Sequence, residues 1–380
     1  MQYADVIHRC FRCGYCKFTK DFSDFNCPTY RKYWFDTYSP GGRMWLVRAW
    51  LNGDVEPSRR LSEILYSCVA CGNCREHCVF DFRVDLVNIF VAARKEMVEQ
   101  GHTLPAVRDY FKGISTRGNP FNQPREDRGK WADGLGLEPY NGQEYLLHVG
   151  CVGSYDERGK KIAAAVASLL KKAGVPFGIL GANESCDGNE VRMLGEFGLF
   201  QALAEGNIEN FKKLGVRKVI ALSPHAYNTF KNDYPALGAD FEVMHYTQAL
   251  EQLVRENKVS FPQIKARVTY HDPCFLGRHN DVFDAPRKVL RSMPGLILEE
   301  MQKNSKNALC CGGGGNFHTD IIGSGEAGPA RVRIREAVET GASILAVACP
   351  NCAKMFEDAR RDEGLEDRIQ VKDIAEIALM

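Results

Sequence analysis

The sequence predicts an α/β protein in three parts: a helical, cysteine-rich N-terminal domain followed by two copies of one parallel α/β lobe. Three observations carry that prediction. Two four-cysteine sets lie within the first 80 residues, Cys10, Cys13, Cys16 with Cys27, and Cys68, Cys71, Cys74 with Cys78. From Glu144 onward short apolar runs alternate with longer amphipathic ones, the pattern of parallel strands covered by helices. That alternating part also repeats itself. Cys151 aligns with Cys274 at an offset of 123, Cys186 with Cys310 at 124, and Ser223-Pro224-His225-Ala226 with Cys349-Pro350-Asn351-Cys352 at 126.

Size and composition agree with this layout. A chain of 380 residues accommodates two or three domains with their own cores. A net charge of +1, with 26% charged residues, excludes the basic or acidic tails that mark nucleic-acid and membrane-surface binders. Apolar stretches such as 162–170 fall short of the roughly 18–20 residues that span a bilayer. Residues 1–8 lack the pattern of a secretory leader. Fifteen cysteines in that setting predict a reducing, cytoplasmic compartment and thiols kept for metal rather than for disulfides.

In the N-terminal domain, taken as 1–112, three cysteines at three-residue steps form the ligand run of a cubane 4Fe–4S cluster. A tight loop with two residues between ligands wraps three corners of the cube, and the fourth thiolate comes from elsewhere. In two-cluster ferredoxin-like domains it comes from the other motif. The expected sets are therefore Cys10, Cys13, Cys16 and Cys78 for one cube, and Cys68, Cys71, Cys74 and Cys27 for the other. Zinc normally draws on two separated ligand pairs, which two triplets do not supply. Ten cations (Arg9, Arg12, Lys17, Lys20, Arg31, Lys32, Arg43, Arg48, Arg59, Arg60) face six acids in residues 1–60. Cations near a buried dianionic cluster offset its charge and raise its potential. Helices are expected at 44–52, 59–66 and 84–99.

Residues 113–143, rich in Gly and Pro, read as an extended connector with turns. The first lobe, 144–262, is expected to contain strands at 145–149, 177–180, 218–222 and 241–245, with helices at 156–173, 189–213, up to 231, and 247–257. The second lobe, 263–380, restarts at strand 267–271 and contains a further strand at 344–348. In both lobes the chemically distinctive residues fall just beyond strands, at the carboxyl edge where open parallel sheets place ligands.

The second lobe carries Cys274, Cys310-Cys311-Gly312 and Cys349-Pro350-Asn351-Cys352, separated by 35 residues (275–309) and 37 residues (312–348). Five thiols at the tips of strands point to a metal site, and the run Gly312–Gly315 lets backbone pass close to a large ligand. This arrangement resembles the CCG cysteine-rich domain of heterodisulfide reductase catalytic subunits. It is similar also to the iron–sulfur subunits of glycolate and anaerobic glycerol-3-phosphate dehydrogenases. A two-cluster domain followed by two CCG lobes resembles the D-type subunit of heterodisulfide reductase over nearly the whole chain. The resemblance implies a third 4Fe–4S cluster, of non-cubane form, at Cys274, Cys310, Cys311, Cys349 and Cys352, fed with electrons by the two cubanes.

The first lobe departs from that pattern. Cys151 and Cys186 remain, but Asp187 follows Cys186, and Ser223 and Ala226 replace the last cysteine pair. A cluster there would need other ligands, for which His225 and His245 are candidates against a plain hydrogen-bonding role. His271 and His318 are the candidate catalytic proton donors beside the five-cysteine site, since histidine titrates near neutral pH. Gly323-Ser324-Gly325-Glu326-Ala327-Gly328 matches a dinucleotide fingerprint as a string, yet it follows no apolar strand. The expected function is an iron–sulfur oxidoreductase subunit that moves electrons between a partner, expected to be a flavoprotein, and the CCG cluster inside a hetero-oligomer. No flavin or nicotinamide motif is visible. A disulfide reductase acting at the CCG cluster and a structural iron–sulfur adaptor are the rival readings.

Overall fold

The computed structural model describes residues 2–323 and 325–380. The N-terminal part is helical, with helices Pro28–Tyr33, Pro40–Leu51, Arg59–Ser67, Leu86–Glu99 and Pro105–Arg117. Local chemistry sets their starts. Ser39 and Ser58 accept from the backbone N–H of Gly42 and Leu61, satisfying donors that a first helical turn leaves open, and Pro40 occupies the first helical position. Cys10, Cys13, Cys16 and Cys27 precede the first of these helices, and Cys68, Cys71, Cys74 and Cys78 lie between Arg59–Ser67 and Leu86–Glu99.

Each lobe is a four-stranded parallel sheet. In the first, β1 (Tyr145–His148), β2 (Phe177–Gly178), β3 (Lys218–Ala221) and β4 (Glu242–His245) lie in the order β2-β1-β3-β4. The second repeats the order with β5 (Arg267–Tyr270), β6 (Ile297–Leu298), β7 (Ile344–Val347) and β8 (Gln370–Asp373), as β6-β5-β7-β8. Register matches too: Leu146 pairs with Val219 in one sheet and Val268 with Ile344 in the other. The chain is thus an α/β protein with a helical two-motif domain and two repeated parallel lobes. In this strand order the direction of winding reverses between the first and third strands of each sheet, the crevice where such folds hold ligands. Cys274 and Cys349 sit just past the ends of β5 and β7, and Cys151 and Ser223 just past β1 and β3.

The lobes pack on each other. Arg158 on the helix Glu157–Lys172 bonds Glu376 Oε1 at 2.6 Å, and Tyr246 donates to Asp373 Oδ1 at 2.7 Å. Two expectations need correction. The helix expected over 189–213 is two helices, Asn189–Met193 and Phe197–Leu214. The break is at Gly195, whose φ of +98° only glycine adopts readily, and whose missing Cβ would lie 2.6 Å from the Arg94 carbonyl carbon. The stretch 113–143 is not extended throughout. Its first residues finish the helix Pro105–Arg117, and 3₁₀ turns form at Arg125–Ala132, burying Arg128 and Trp131. The glycine-rich string at 323–328 includes Ser324, which lies outside the described residues.

Candidate metal centres

Cys27 lines one small cavity with Cys68, Cys71 and Cys74, although 40 residues (28–67) separate it from Cys68. Pro28 starts a helix immediately after it and fixes its direction. Arg43 lines the same cavity. Its guanidinium is buried and donates to the carbonyls of Ile64 (2.9 Å) and Tyr38 (2.7 Å) and to the hydroxyls of Thr29 (3.1 Å) and Ser67 (2.8 Å). Of the ten cations in residues 1–60, this is the one enclosed beneath a cysteine set. Arg9, Lys17 and Arg31 instead pair with Asp81, Asp36 and Asp24 near the surface. Cys78 is buried beside Cys13 and Cys10. Burial first, and those thiols next, push its own thiol up. Burial likewise raises Cys16, Cys27 and Cys74, so these sulfurs are thiols without a metal, and binding one would release their protons to solvent. Cys13 is exposed.

In the second lobe all five cysteines are buried. Cys310 Sγ donates to Cys274 Sγ across 3.8 Å, and the sulfurs of Cys311 and Cys352 are 3.2 Å apart. Backbone N–H groups of Gly312 and Gly313 donate to Cys310 and Cys311 Sγ at 3.3 and 3.4 Å, a pattern that stabilises sulfur carrying negative charge. His271 follows β5 fully buried, and its ring places a nitrogen within 4.8 Å of Cys311 and Cys352 Sγ. His271 Nδ1 accepts from Arg333 at 3.4 Å, while Nε2 has no hydrogen-bond partner among the described residues. Hydrogen bonds from Cys310 and Cys352 hold Cys311 well below the ordinary thiol value. Five soft donors, two backbone N–H groups aimed at sulfur and a buried imidazole with its Nε2 free fit an iron–sulfur group rather than a hard cation.

The two cysteine regions meet. Cys310 is the largest influence on Cys71, whose thiol it raises well above its ordinary value. Arg278 donates to the carbonyls of Cys71 (2.8 Å) and Ala308 (2.5 Å), and His279 Nε2 bonds the carbonyl of Ala70 at 2.8 Å. Gly314 explains part of the glycine run, because a Cβ there would lie 2.7 Å from the Val69 carbonyl oxygen. The glycines therefore let the second lobe close onto the loop that carries Cys68 and Cys71.

In the first lobe Cys151, Cys186 and Asp187 line a narrow cavity with Glu190, His225 and His318. Arg128 Nη1 and Nη2 both donate to Cys151 Sγ at 3.6 Å, and Glu184 Oε1 holds the guanidinium at 3.0 Å. Ser223 Oγ is committed to the backbone N–H of His225 at 3.1 Å, and Ala226 offers no donor.

The histidines divide by role. His245 caps the helix Tyr246–Arg255 through Thr247 and lines no cysteine site. His318 reaches back to the first-lobe cavity, its ring against Tyr110 and Phe121, and burial lowers it to about 4. It is not at the five-cysteine site. His225 bonds Glu190 and faces Cys349 of the other lobe. Burial opposes its charge, but Glu190 and Cys349 raise it well above the usual histidine value. Against the effect of burial, Cys352 and His225 bring Cys349 to about 6. Asn351, the repeat counterpart of His225, lines the first-lobe cavity. Each lobe thus lends one residue to the other's site, which the repeat alignment signalled without showing the exchange. Arg128 and Glu184 carried no signal in the sequence.

Comparison with known proteins matches residues 6–82 to a 4Fe-4S dicluster domain and residues 145–231 and 268–357 to the CCG cysteine-rich domain. The chain is 36% identical to a probable iron-sulfur-binding oxidoreductase FadF of Bacillus subtilis, over 83% of this chain and 46% of that one. It is 35% identical to the EtfAB:quinone oxidoreductase of Syntrophomonas wolfei over the same shares. The chain spans about half the length of these relatives. The D-type subunit of the heterodisulfide reductase of Methanosarcina mazei is 31% identical, over 98% of this chain and 93% of that one. A hypothetical protein of Helicobacter pylori shares the fold, with a TM-score of 0.56 at 12% identity over 90% of this chain and 67% of that one. Among the described residues no helix is long and apolar enough to cross a membrane. With a dicluster domain followed by two CCG domains and a relative matched along almost its full length, the chain belongs to the D-type heterodisulfide reductase family of iron–sulfur oxidoreductase subunits.

Proposed function

We propose that the chain is an electron-transfer subunit that accepts electrons from a flavoprotein partner at the exposed Cys13 edge and delivers them to the five-cysteine site of the second lobe. The observation that carries this reading is the seating of the Cys68–Cys71 loop on the second lobe, through Arg278 on the Cys71 carbonyl and Gly314 against Val69, together with the exposure of Cys13. When bound, iron–sulfur clusters supply one-electron carriers. The proposed ligand sets are Cys10, Cys13, Cys16 and Cys78; Cys27, Cys68, Cys71 and Cys74; and Cys274, Cys310, Cys311, Cys349 and Cys352. The chain's own residues supply the electrostatics. Arg43 places a fixed positive charge beside the second set, and His225, held by Glu190, places one beside Cys349. His271 Nε2 is a hydrogen-bond donor or proton carrier next to Cys311 and Cys352. Phe11, exposed at 73%, and Tyr15 flank Cys13 and supply an apolar rim suited to a protein partner. The relative named as an EtfAB:quinone oxidoreductase supports a hetero-oligomeric setting.

Anaerobic reconstitution followed by iron and sulfide analysis tests the reading. Three clusters correspond to about 12 iron atoms per chain, with visible absorbance that bleaches when a reduced flavoprotein donor is added and recovers on reoxidation. A zinc-filled, colourless protein sinks it, and clusters that do not cycle leave only a structural adaptor. The unpartnered His271 Nε2 favours a second reading, disulfide reduction at the five-cysteine site. Multiple-turnover, viologen-driven reduction of small disulfides that vanishes in Cys311→Ser would replace the relay reading with that one.

A further inference from the structure

We propose that Cys151 and Cys186 form a thiol–disulfide exchange couple that occupies the first lobe in place of a cluster, with a small disulfide as its redox partner. The proposal rests on the reading that the first lobe holds no full cluster. The two thiols stand where Cys274 and Cys310 stand in the second lobe, whose sulfurs are 3.8 Å apart, and they line one narrow cavity. Both nitrogens of the Arg128 fork rest on Cys151 Sγ. Arg128 and Glu184 are only 2 and 3% exposed, so the guanidinium is locked in place; Glu184 in turn accepts from the N–H groups of Val149 and Gly150 at 3.0 and 2.9 Å. A fixed cation on the sulfur repels a ferrous ion and stabilises a thiolate. The remaining ligand positions point the same way, since Ala226 has no donor and the Ser223 hydroxyl is spent on a helix start.

The two thiols differ in a way that suits exchange. Cys186, aided by Arg128, holds Cys151 below its ordinary value despite burial, and Cys151 pushes Cys186 well above. Cys151 is also the more accessible, at 8% against 3%. The Cys151 thiolate attacks one sulfur of a disulfide RS–SR. The S–S bond breaks, and RS⁻ leaves and takes a proton from solvent. Cys186 then gives up its proton and attacks the Cys151 sulfur of the mixed disulfide. That expels the second RS⁻, which takes the proton Cys186 released. In balance, Cys151–S⁻, Cys186–SH, RS–SR and one proton give the Cys151–Cys186 disulfide and two RSH. Two electrons pass from the protein thiols to the external disulfide.

The reconstituted full chain, equilibrated anaerobically in stepped ratios of 2-mercaptoethanol to its disulfide, then acid-quenched, alkylated and mapped by mass spectrometry, tests this. The expected result is a single Cys151–Cys186 disulfide that titrates reversibly with the ratio while iron content stays constant. Arg128→Met removes the stabilisation of the thiolate and should shift the equilibrium at least tenfold toward the disulfide, or about 30 mV for a two-electron couple. Arg128→Lys should recover part of that shift. Cys186→Ser should stop at the mixed disulfide on Cys151. If both thiols are alkylated in the native chain at every ratio, the couple is wrong and the three-cluster reading stands. Iron near 16 per chain, with Cys151 and Cys186 protected by metal, would overturn both.

Discussion

Arg43→Met isolates the effect of one buried charge on one cysteine set. Methionine roughly fills the space of the arginine stem but removes four hydrogen bonds and a unit charge. Tyr38 and Ile64 keep hydroxyl donors for their carbonyls, from Thr29 at 2.7 Å and Ser67 at 2.8 Å, so neither acceptor is stranded. Each lost bond then costs on the order of 0.5–1 kcal/mol, or about 2–4 kcal/mol together. Over a chain of 380 residues that predicts a melting midpoint about 3–5 °C lower. The charge has a separate readout. A unit charge near contact range at an effective dielectric of about 20 is worth up to about 4 kcal/mol. Its loss favours the oxidised, less negative cluster, so the midpoint potential should fall by about 50–150 mV on the scale of ~59 mV per tenfold change for one electron. Redox titration followed by electron paramagnetic resonance reports each cubane separately. Only the cubane of Cys27, Cys68, Cys71 and Cys74 should move, because Arg43 lines that cavity. An unchanged potential there, or a shift confined to the other cubane, would refute the reasoning.

Cys27→Ser should alter the resonance of the cubane carried by Cys68, Cys71 and Cys74, and Cys78→Ser that of Cys10, Cys13 and Cys16; changes confined to each residue's own motif would mean local ligation. Gly314→Val sets a side chain against the Val69 carbonyl and should cost about 1–3 kcal/mol. Stopped-flow reduction by viologen should then show slower filling of the second-lobe site at unchanged iron content. Burial raises Asp373 to about 8 in the folded chain, against an ordinary 3.8. The folded state therefore keeps a proton that the unfolded chain has lost. Its stability should fall as pH rises from about 4 to 8, by at most ~1.36 kcal/mol per unit. Asp373→Asn should flatten that part of the denaturation profile.

The three-part layout was legible because its signals are local or periodic. Cysteine triplets are visible at three-residue spacing, strands alternate with amphipathic helices, and the repeat offsets survive where Ser223 and Ala226 stand opposite Cys349 and Cys352. What escaped depends on contacts between distant segments. The break at Gly195 falls where Arg94, far earlier in the chain, packs against it. Strands β6 and β8 are short or mixed in character and add little to a sequence pattern. Arg128 sits in a stretch whose glycines and prolines suggest a loose connector, and only the folded chain brings it onto Cys151. His318 follows the glycine run of the second lobe, so proximity in sequence favoured the five-cysteine site, whereas the loop carries it across to the first lobe.

The reciprocal placement of His225 and Asn351 bears on why the first lobe persists after losing three of its five cysteine positions. Lobes that each completed their own pocket could diverge independently, and a lobe without ligands would be dispensable. Here a second lobe produced alone would lack the imidazole facing Cys349 and would expose the face that the helix Glu157–Lys172 covers. The duplicated halves therefore behave as an internal heterodimer. Substitutions in the half that keeps two of the cysteines should register as altered chemistry in the half that keeps five, and truncation to a single lobe should abolish the site rather than simplify it.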